Sequence, residues 1–306
     1  GREHGQKADQ LPGQRSINNP EHRKQIAEIW GIPESEMPQA GVSVVEMFQK
    51  MREGEIRGLM SVCNNVMVSL PDTNKVRESL EGLDFYVCID FFMSESARYA
   101  DVVLPGTAWS EDEGVTTNGE GRVLKINKAS NPPGEAKPDW WIVKQLAERL
   151  GRGKFFPYEN TRQMFEEMRE ASRGGTADYG GISWERIERE NGVFWPCPTE
   201  DHPGTPRMFE DRFYHPDGKA KFHAVEYKGA DEKPDDEFPL IMTSGRVVFQ
   251  YLSGNQTRRI KFLVDQCPEP YVEVHPDMAE KLGIHDGERV KVVSRRGFGI
   301  FPALVV

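Results

Sequence analysis

Two polar positions stand where short apolar runs end. Asn64-Asn65 follows the run Gly58–Val62, and Asp90 closes the run Asp84–Ile89. If those runs are strands of a parallel sheet, both positions lie at carboxyl ends, where open α/β sheets collect their ligands. An amide there can bridge a ligand oxygen to the backbone. A carboxylate there can accept from ribose hydroxyls or from the N1–H and N2–H₂ edge of a guanine. The same residue types also serve as turn formers and caps. Further on, Thr243-Ser244-Gly245-Arg246 and Asn255–Arg259 combine a turn with the guanidiniums of Arg246, Arg258 and Arg259. Glycine admits close backbone approach and arginine pairs a phosphate, so an anionic ligand fits; a solvated basic face is the other reading. The acidic run Glu111-Asp112-Glu113 reads as a solvated loop.

Other chemistries find no support. Cys63, Cys88, Cys197 and Cys267 form no C-x-x-C pair, and the seven histidines show no ligand spacing. There is no Ser–His–Asp pattern, no P-loop and no G-x-G-x-x-G. Neither a metal site nor an iron–sulfur cluster is therefore expected from these residues alone. The 39 Lys and Arg against 49 Asp and Glu give a net charge of −10, which disfavours binding to nucleic acid or an anionic membrane. No apolar run approaches the roughly 18 residues of a membrane span. Gly1–Pro20 is polar, without the apolar core of a signal peptide, and position 1 is Gly rather than Met, so a processed chain or a piece of a longer one is expected.

The elements that must position these residues follow from periodicity. Length predicts about two domains. Asn19-Pro20 starts a helix ended by Gly31, and Ser43-x-x-Glu46 is a capping box for a second, with Val44, Met47, Phe48 and Met51 as its apolar stripe. Then apolar runs at Gly58–Val62, Asp84–Ile89 and Asp101–Leu104 alternate with helical stretches at Thr73–Leu80 and Ser94–Tyr99, which predicts a parallel sheet with crossovers. Helices are expected around Trp140–Leu150, Thr161–Ala171 and Ser183–Glu190. Gly192–Asp236, rich in Pro, Gly and aromatics, is read as an irregular connector. After it come expected strands at Leu240–Thr243, Tyr271–His275, Arg289–Ser294 and Gly299–Val306, with a short helix at Asp277–Leu282. The fold class is thus α/β: a Rossmann-like region over 1–191, a connector over 192–236 and a β-module over 237–306.

Several runs together resemble one family. They are Gly1–Gly13 (GREHGQKADQLPG), Ser69–Asp72, Ser96–Pro105 (SARYADVVLP), Trp109–Arg122 (WSEDEGVTTNGEGR), Pro133–Trp141 (PGEAKPDWW), Arg212–Phe222, Ser244–Arg259 (SGRVVFQYLSGNQTRR) and Val272–Ile284. In this order they resemble the molybdopterin oxidoreductases of the dimethyl-sulfoxide-reductase superfamily. The first run and the S-G-N-Q-T-R-R stretch are most similar to the assimilatory-type nitrate reductases.

The resemblance implies that 237–306 is an incomplete double-psi β-barrel. It also implies a molybdenum cofactor, bis-(molybdopterin guanine dinucleotide), shared with parts of a longer parent. A 4Fe-4S cluster and the molybdenum ligand would lie upstream, so no catalytic or metal-ligating residue is expected here and the chain alone should be inactive. Asn65 matches the family's asparagine after the first strand, and Asp90 the strand-end acid that meets the guanosine part. Asp139 matches the acid of the P-G-E-A-x-x-D segment, which resembles a guanine reader. Asp112 stands where the family often has Lys, which weakens a side-chain contact but leaves a backbone one. Ser244, Gly245, Arg246, Val247, Gln250 and Ser253 match the loop that wraps one pterin, with Arg246 as the phosphate partner.

The expected parent is a nitrate reductase with an unidentified electron-donor protein or domain, placed in the cytoplasm. The alternatives are a formate dehydrogenase of the same superfamily, a cofactor-less protein like the large subunit of respiratory complex I, or an inactive fragment.

Overall fold

The structure is a computed structural model and describes residues 7–306. The first six residues of the Gly1–Gly13 run, His4 among them, lie outside the described residues. The chain begins with a short antiparallel pair, β1 (Gln10–Leu11) and β2 (Arg15–Ser16). Helix α1 (Pro20–Trp30) follows; Asn19 Oδ1 accepts from the Glu21 and His22 amides at 2.9 and 3.4 Å, and Gly31 closes the helix at φ 64°. A cap of this kind contributes about 1 kcal/mol. Helix α2 (Val44–Arg52) is capped by Ser43 as expected, but only Phe48 and Met51 of its stripe are buried.

The central feature is a parallel sheet of three strands in sequence order: β3 (Gly58–Val62), β4 (Phe85–Asp90) and β5 (Val102–Pro105). Helices α3 (Val66–Ser69) and α4 (Thr73–Glu81) connect the first two strands, and a short turn at Ala97–Tyr99 precedes the third. The alternation of apolar runs with helical stretches forces this arrangement, because parallel neighbours need a crossover. The sheet's inner residues Tyr86, Cys88 and Ile89 are almost fully buried. The mixed α/β class with a parallel sheet is as the sequence predicts.

Two differences are informative. Residues 114–126 form an antiparallel hairpin, β6 (Gly114–Thr117) and β7 (Arg122–Ile126), just after the acidic run Glu111–Glu113 and where periodicity assigned no element. Its turn uses Asn118, whose Oδ1 accepts from the Glu120 and Arg122 amides at 3.0 Å, with Gly121 at φ 85°. Conversely, Leu240–Thr243 is irregular and exposed rather than a strand; three apolar residues in a row carry no alternation that fixes them to a buried face.

Helices α5 (Asp139–Arg149), α6 (Thr161–Ser172) and α7 (Trp184–Glu190) fall where expected, and β8 (Val193–Phe194) pairs with β7. Val123, Phe165, Tyr179, Ile182, Trp184 and Ile187 form the main core around this hairpin. Buried Arg186 ties that core to the connector by donating to the carbonyls of Gly181, Glu200 and His202 at 3.1, 3.0 and 2.7 Å. Near the C-terminus come α8 (Lys261–Gln266), β9 (Val272–Val274), α9 (Pro276–Leu282), β10 (Arg289–Ser294) and β11 (Gly297–Val305). Strand β11 pairs antiparallel with β10 along its first part and parallel with β9 over Ala303–Val305.

The chain divides into two compact units. One comprises the residues up to Asn64, Ser79–Met93 and Tyr99–Phe222; the other comprises Asn65–Glu78, Ser94–Arg98 and His223–Val306. No helix of the described residues is long and apolar enough to cross a membrane.

Candidate cofactor site

In the first unit the carboxyl ends of the parallel strands converge on acidic side chains. Asp90 ends β4, is 3% exposed, and accepts from the Phe91 and Phe92 amides at 2.8 and 3.4 Å through Oδ1. Immediately after β3, Cys63 takes a left-handed conformation (φ 50°) while its amide donates to the Ile89 carbonyl at 2.8 Å. After β5, Gly106 bridges to Lys137, and the Lys137 amide donates to the Pro105 carbonyl at 3.0 Å. That bridge extends the sheet edge by one step and sets Asp139, the first residue of α5, beside Gly106.

The approach is close enough to require glycine. A Cβ on Gly106 would stand 2.5 Å from Asp139 Oδ1. That oxygen is buried and has no hydrogen-bond partner among the described residues. The other carboxylate oxygen, Oδ2, lies 3.4 Å from the Cys63 thiol, which donates to it. Burial pushes the Asp139 carboxyl above its ordinary range, with Asp112 and Asp90 adding to the rise and the Cys63 hydrogen bond opposing it. Burial, then the charge of Asp139, push the Cys63 thiol up to about 12. Asp112 Oδ2 accepts from the Trp140 indole at 3.2 Å, so its side chain is already engaged. Among the sequence-predicted residues, Asp90, Asp112 and Asp139 therefore act on one locus.

In the second unit Asn65 is 5% exposed, and both its amide oxygen and its amide nitrogen are hydrogen-bonded within the chain. Its Oδ1 accepts from the Ser96 amide and hydroxyl at 3.2 and 2.8 Å, and its Nδ2 donates to Glu95 Oε2 at 2.7 Å. Glu95 Oε1 in turn accepts from Arg258 at 2.8 Å. Burial alone would raise the Glu95 carboxyl; the Asn65 and Arg258 donors overcome it and hold the carboxyl below its ordinary range. Ser244, Gly245 and Arg246 are exposed, while Val247 and Ser253 are half-buried. Gln250 fixes the far end of that loop, donating to the Cys267 carbonyl at 3.1 Å and accepting from the Thr257 hydroxyl at 2.7 Å.

Sequence reasoning missed Cys63, Gly106 and Glu95. The first two were findable: each directly follows a strand at its carboxyl end. Glu95 carried no pattern that would single it out.

The orphaned Asp139 oxygen leaves an acceptor free for a donor, as the N–H-rich edge of a guanine would supply. Comparison with known proteins identifies the family. Residues 5–149 match the family described as molybdopterin oxidoreductase, and residues 240–305 match a molydopterin dinucleotide binding domain.

The chain belongs to the molybdopterin oxidoreductases.

Among curated members of that family, the assimilatory nitrate reductase catalytic subunit of Bacillus subtilis is 51% identical over 299 residues, which cover 97% of this chain and 42% of that protein. The F420-dependent formate dehydrogenase subunit alpha of Methanocaldococcus jannaschii is 43% identical over 260 residues, covering 85% of this chain and 38% of that one. The chain thus spans about two fifths of the length of these relatives. The acetylene hydratase of Pelobacter acetylenicus has a similar fold, with a TM-score of 0.64 at 21% identity over 93% of this chain and 40% of that structure. This molybdopterin oxidoreductase chain therefore has its parallel-sheet region inside one family domain and its C-terminal strands inside the other.

Proposed function

We propose that this chain is part of a nitrate reductase and that its residues hold guanine dinucleotide portions of a bis-molybdopterin cofactor. The single observation that carries the cofactor reading is the buried, donorless Oδ1 of Asp139 beneath Gly106. Such an oxygen costs about 1–3 kcal/mol or more unless a donor completes it. Identity of 51% to a nitrate reductase subunit favours that activity.

Each residue then has a role at a stated atom. Asp139 accepts from the guanine edge, and Asp90, whose Oδ1 is bound to backbone amides, offers Oδ2 to a ribose hydroxyl. Asp112 serves through its backbone, since Trp140 holds its side chain. Asn65 shapes the loop after β3 from within, because its amide is spent on Ser96 and Glu95. Ser244, Gly245 and Val247 offer backbone N–H groups to a phosphate or pterin, Arg246 offers its guanidinium, and Gln250 and Ser253 hold the loop. When bound, the molybdenum group would supply oxygen-atom transfer from nitrate, leaving nitrite. The metal ligand, a 4Fe-4S cluster and the electron-donor contact are assigned to parts of the parent beyond these residues, and the parent to the cytoplasm. The mixed pairing of β11 with β9 and β10 supports reading the C-terminal strands as part of a double-psi barrel; by itself the chain is read as inactive.

Identity of 43% to a formate dehydrogenase subunit supports a second reading. Purified full-length protein should reduce nitrate with a reduced viologen dye and should not oxidise formate. Formate oxidation without nitrate reduction would select the second reading. A full-length protein without molybdenum would point instead to a cofactor-less relative.

A further inference from the structure

The Cys63 thiol is the one donor aimed at the Asp139 carboxylate among the described residues, and neither residue pattern nor family likeness had singled it out. Its placement is built rather than incidental. The left-handed backbone at Cys63, whose amide donates to the Ile89 carbonyl, turns the side chain off the end of β3 toward α5. On the opposite side Gly106 lacks the Cβ that would stand 2.5 Å from Oδ1. We infer that Cys63 is a positioning residue for Asp139: its S–H donates to Oδ2 and fixes the carboxylate so that Oδ1 is the acceptor left for a guanine N–H. This rests on the guanine-reading role proposed above for Asp139.

The electrostatics give the pairing a second consequence. The groups acting on Asp139 are Cys63, Asp112 and Asp90; those acting on Cys63 are Asp139, Asp90 and Cys88. No cation is among them. Burial, with repulsion from Asp112 and Asp90, favours protonated Asp139, and the thiol donor works against that, keeping the acceptor form available at lower pH. In return, burial and then Asp139 keep Cys63 a protonated thiol, since a thiolate there would meet a carboxylate with no compensating charge.

Guanosine 5′-monophosphate binding to cofactor-free full-length protein tests this by calorimetry between pH 5 and 8, with adenosine 5′-monophosphate as control. Wild type should prefer the guanine nucleotide and lose affinity on acidification. In Cys63→Ala that loss should begin at higher pH, and Cys63→Ser, which keeps a donor, should restore the wild-type profile. A merely structural role would lower affinity equally at every pH. Absence of guanine preference in the wild type would sink the guanine reading itself; guanine preference with superimposable pH profiles in wild type and Cys63→Ala would overturn only the role of Cys63.

A second measurement does not depend on either Cys63 variant. In Asp139→Asn the rate of iodoacetamide labelling at Cys63, followed by peptide mass spectrometry at pH 8, should rise several-fold, because the thiolate is the nucleophile and its carboxylate neighbour is gone. An unchanged labelling rate would also overturn the pairing.

Discussion

The Asp139–Gly106 contact shows how one missing carbon can define a site. Only glycine tolerates an oxygen 2.5 Å from its would-be Cβ, and the obstacle is a carboxylate at the start of a helix rather than a free side-chain end. Gly106→Ala should therefore displace Asp139 and lower cofactor retention in the full-length parent by about tenfold, measured as molybdenum per chain, while the fold persists; a loss of roughly 1.4 kcal/mol of binding suffices for that. Asp139→Ala removes the acceptor outright and should lower molybdenum per chain with little change in circular dichroism. Molybdenum content unchanged in that variant would remove Asp139 from the site. At this scale the sequence was partly legible. Asp90 and Asp139 could be placed, one from its position after an apolar run and the other from a motif. The thiol partner could not, because nothing in the spacing of Cys63 and Asp139, 76 positions apart, says that two chain segments meet.

At the scale of elements, the loop after β3 is held by a hydrogen-bonded chain that runs Ser96, Asn65, Glu95, Arg258. Asn65 is nearly buried and satisfies three groups, so Asn65→Ala should destabilise the full-length protein by about 1–3 kcal/mol in chemical denaturation. The pH dependence has a definite sign. Glu95 has a folded-state value below its unfolded one, so its contribution is present above the ordinary carboxylate range, near 4.3, and is lost as pH falls through the lower folded value. The deficit of Asn65→Ala should thus be largest at neutral pH and shrink on acidification. A deficit independent of pH would mean that Glu95 takes no part. Most elements were visible from periodicity and caps: β3, α1 and α7 begin where apolar runs, Asn19 and Ser183 put them. The hairpin β6–β7 was passed over although Asn118-Gly119 is a turn signal between two β-branched runs; its inner residues become core only once Tyr179 and Trp184 cover them.

For the whole molecule, the contrast lies between the well-packed core of the first unit and one stretch, running from the end of that unit into the second, that carries almost no regular structure. Between Gly204 and Asn255 the described residues form no helix or strand, and Phe222, Tyr227, Ile241 and Val248 are 93%, 95%, 80% and 90% exposed. Few backbone hydrogen bonds fasten it, so its local opening free energy should be low. Its middle is tied more firmly: Glu232 and Asp235 pair with Arg295 and Arg296 at the β10–β11 turn. These pairs are exposed, each worth about 0–1 kcal/mol, and weaken with salt. Limited trypsin digestion of the cofactor-free full-length protein should therefore cut first at Lys219, Lys221, Lys228 or Arg246, and faster as salt is raised. If Arg246 holds a cofactor phosphate, the loaded protein should be cut as before at Lys219 and Lys221 but several-fold more slowly at Arg246, read from the fragment masses. Equal rates at Arg246 in loaded and cofactor-free protein would take the Ser244–Ser253 loop out of the binding surface and leave the strand-end carboxylates of the first unit as the cofactor's only proposed hold on this chain.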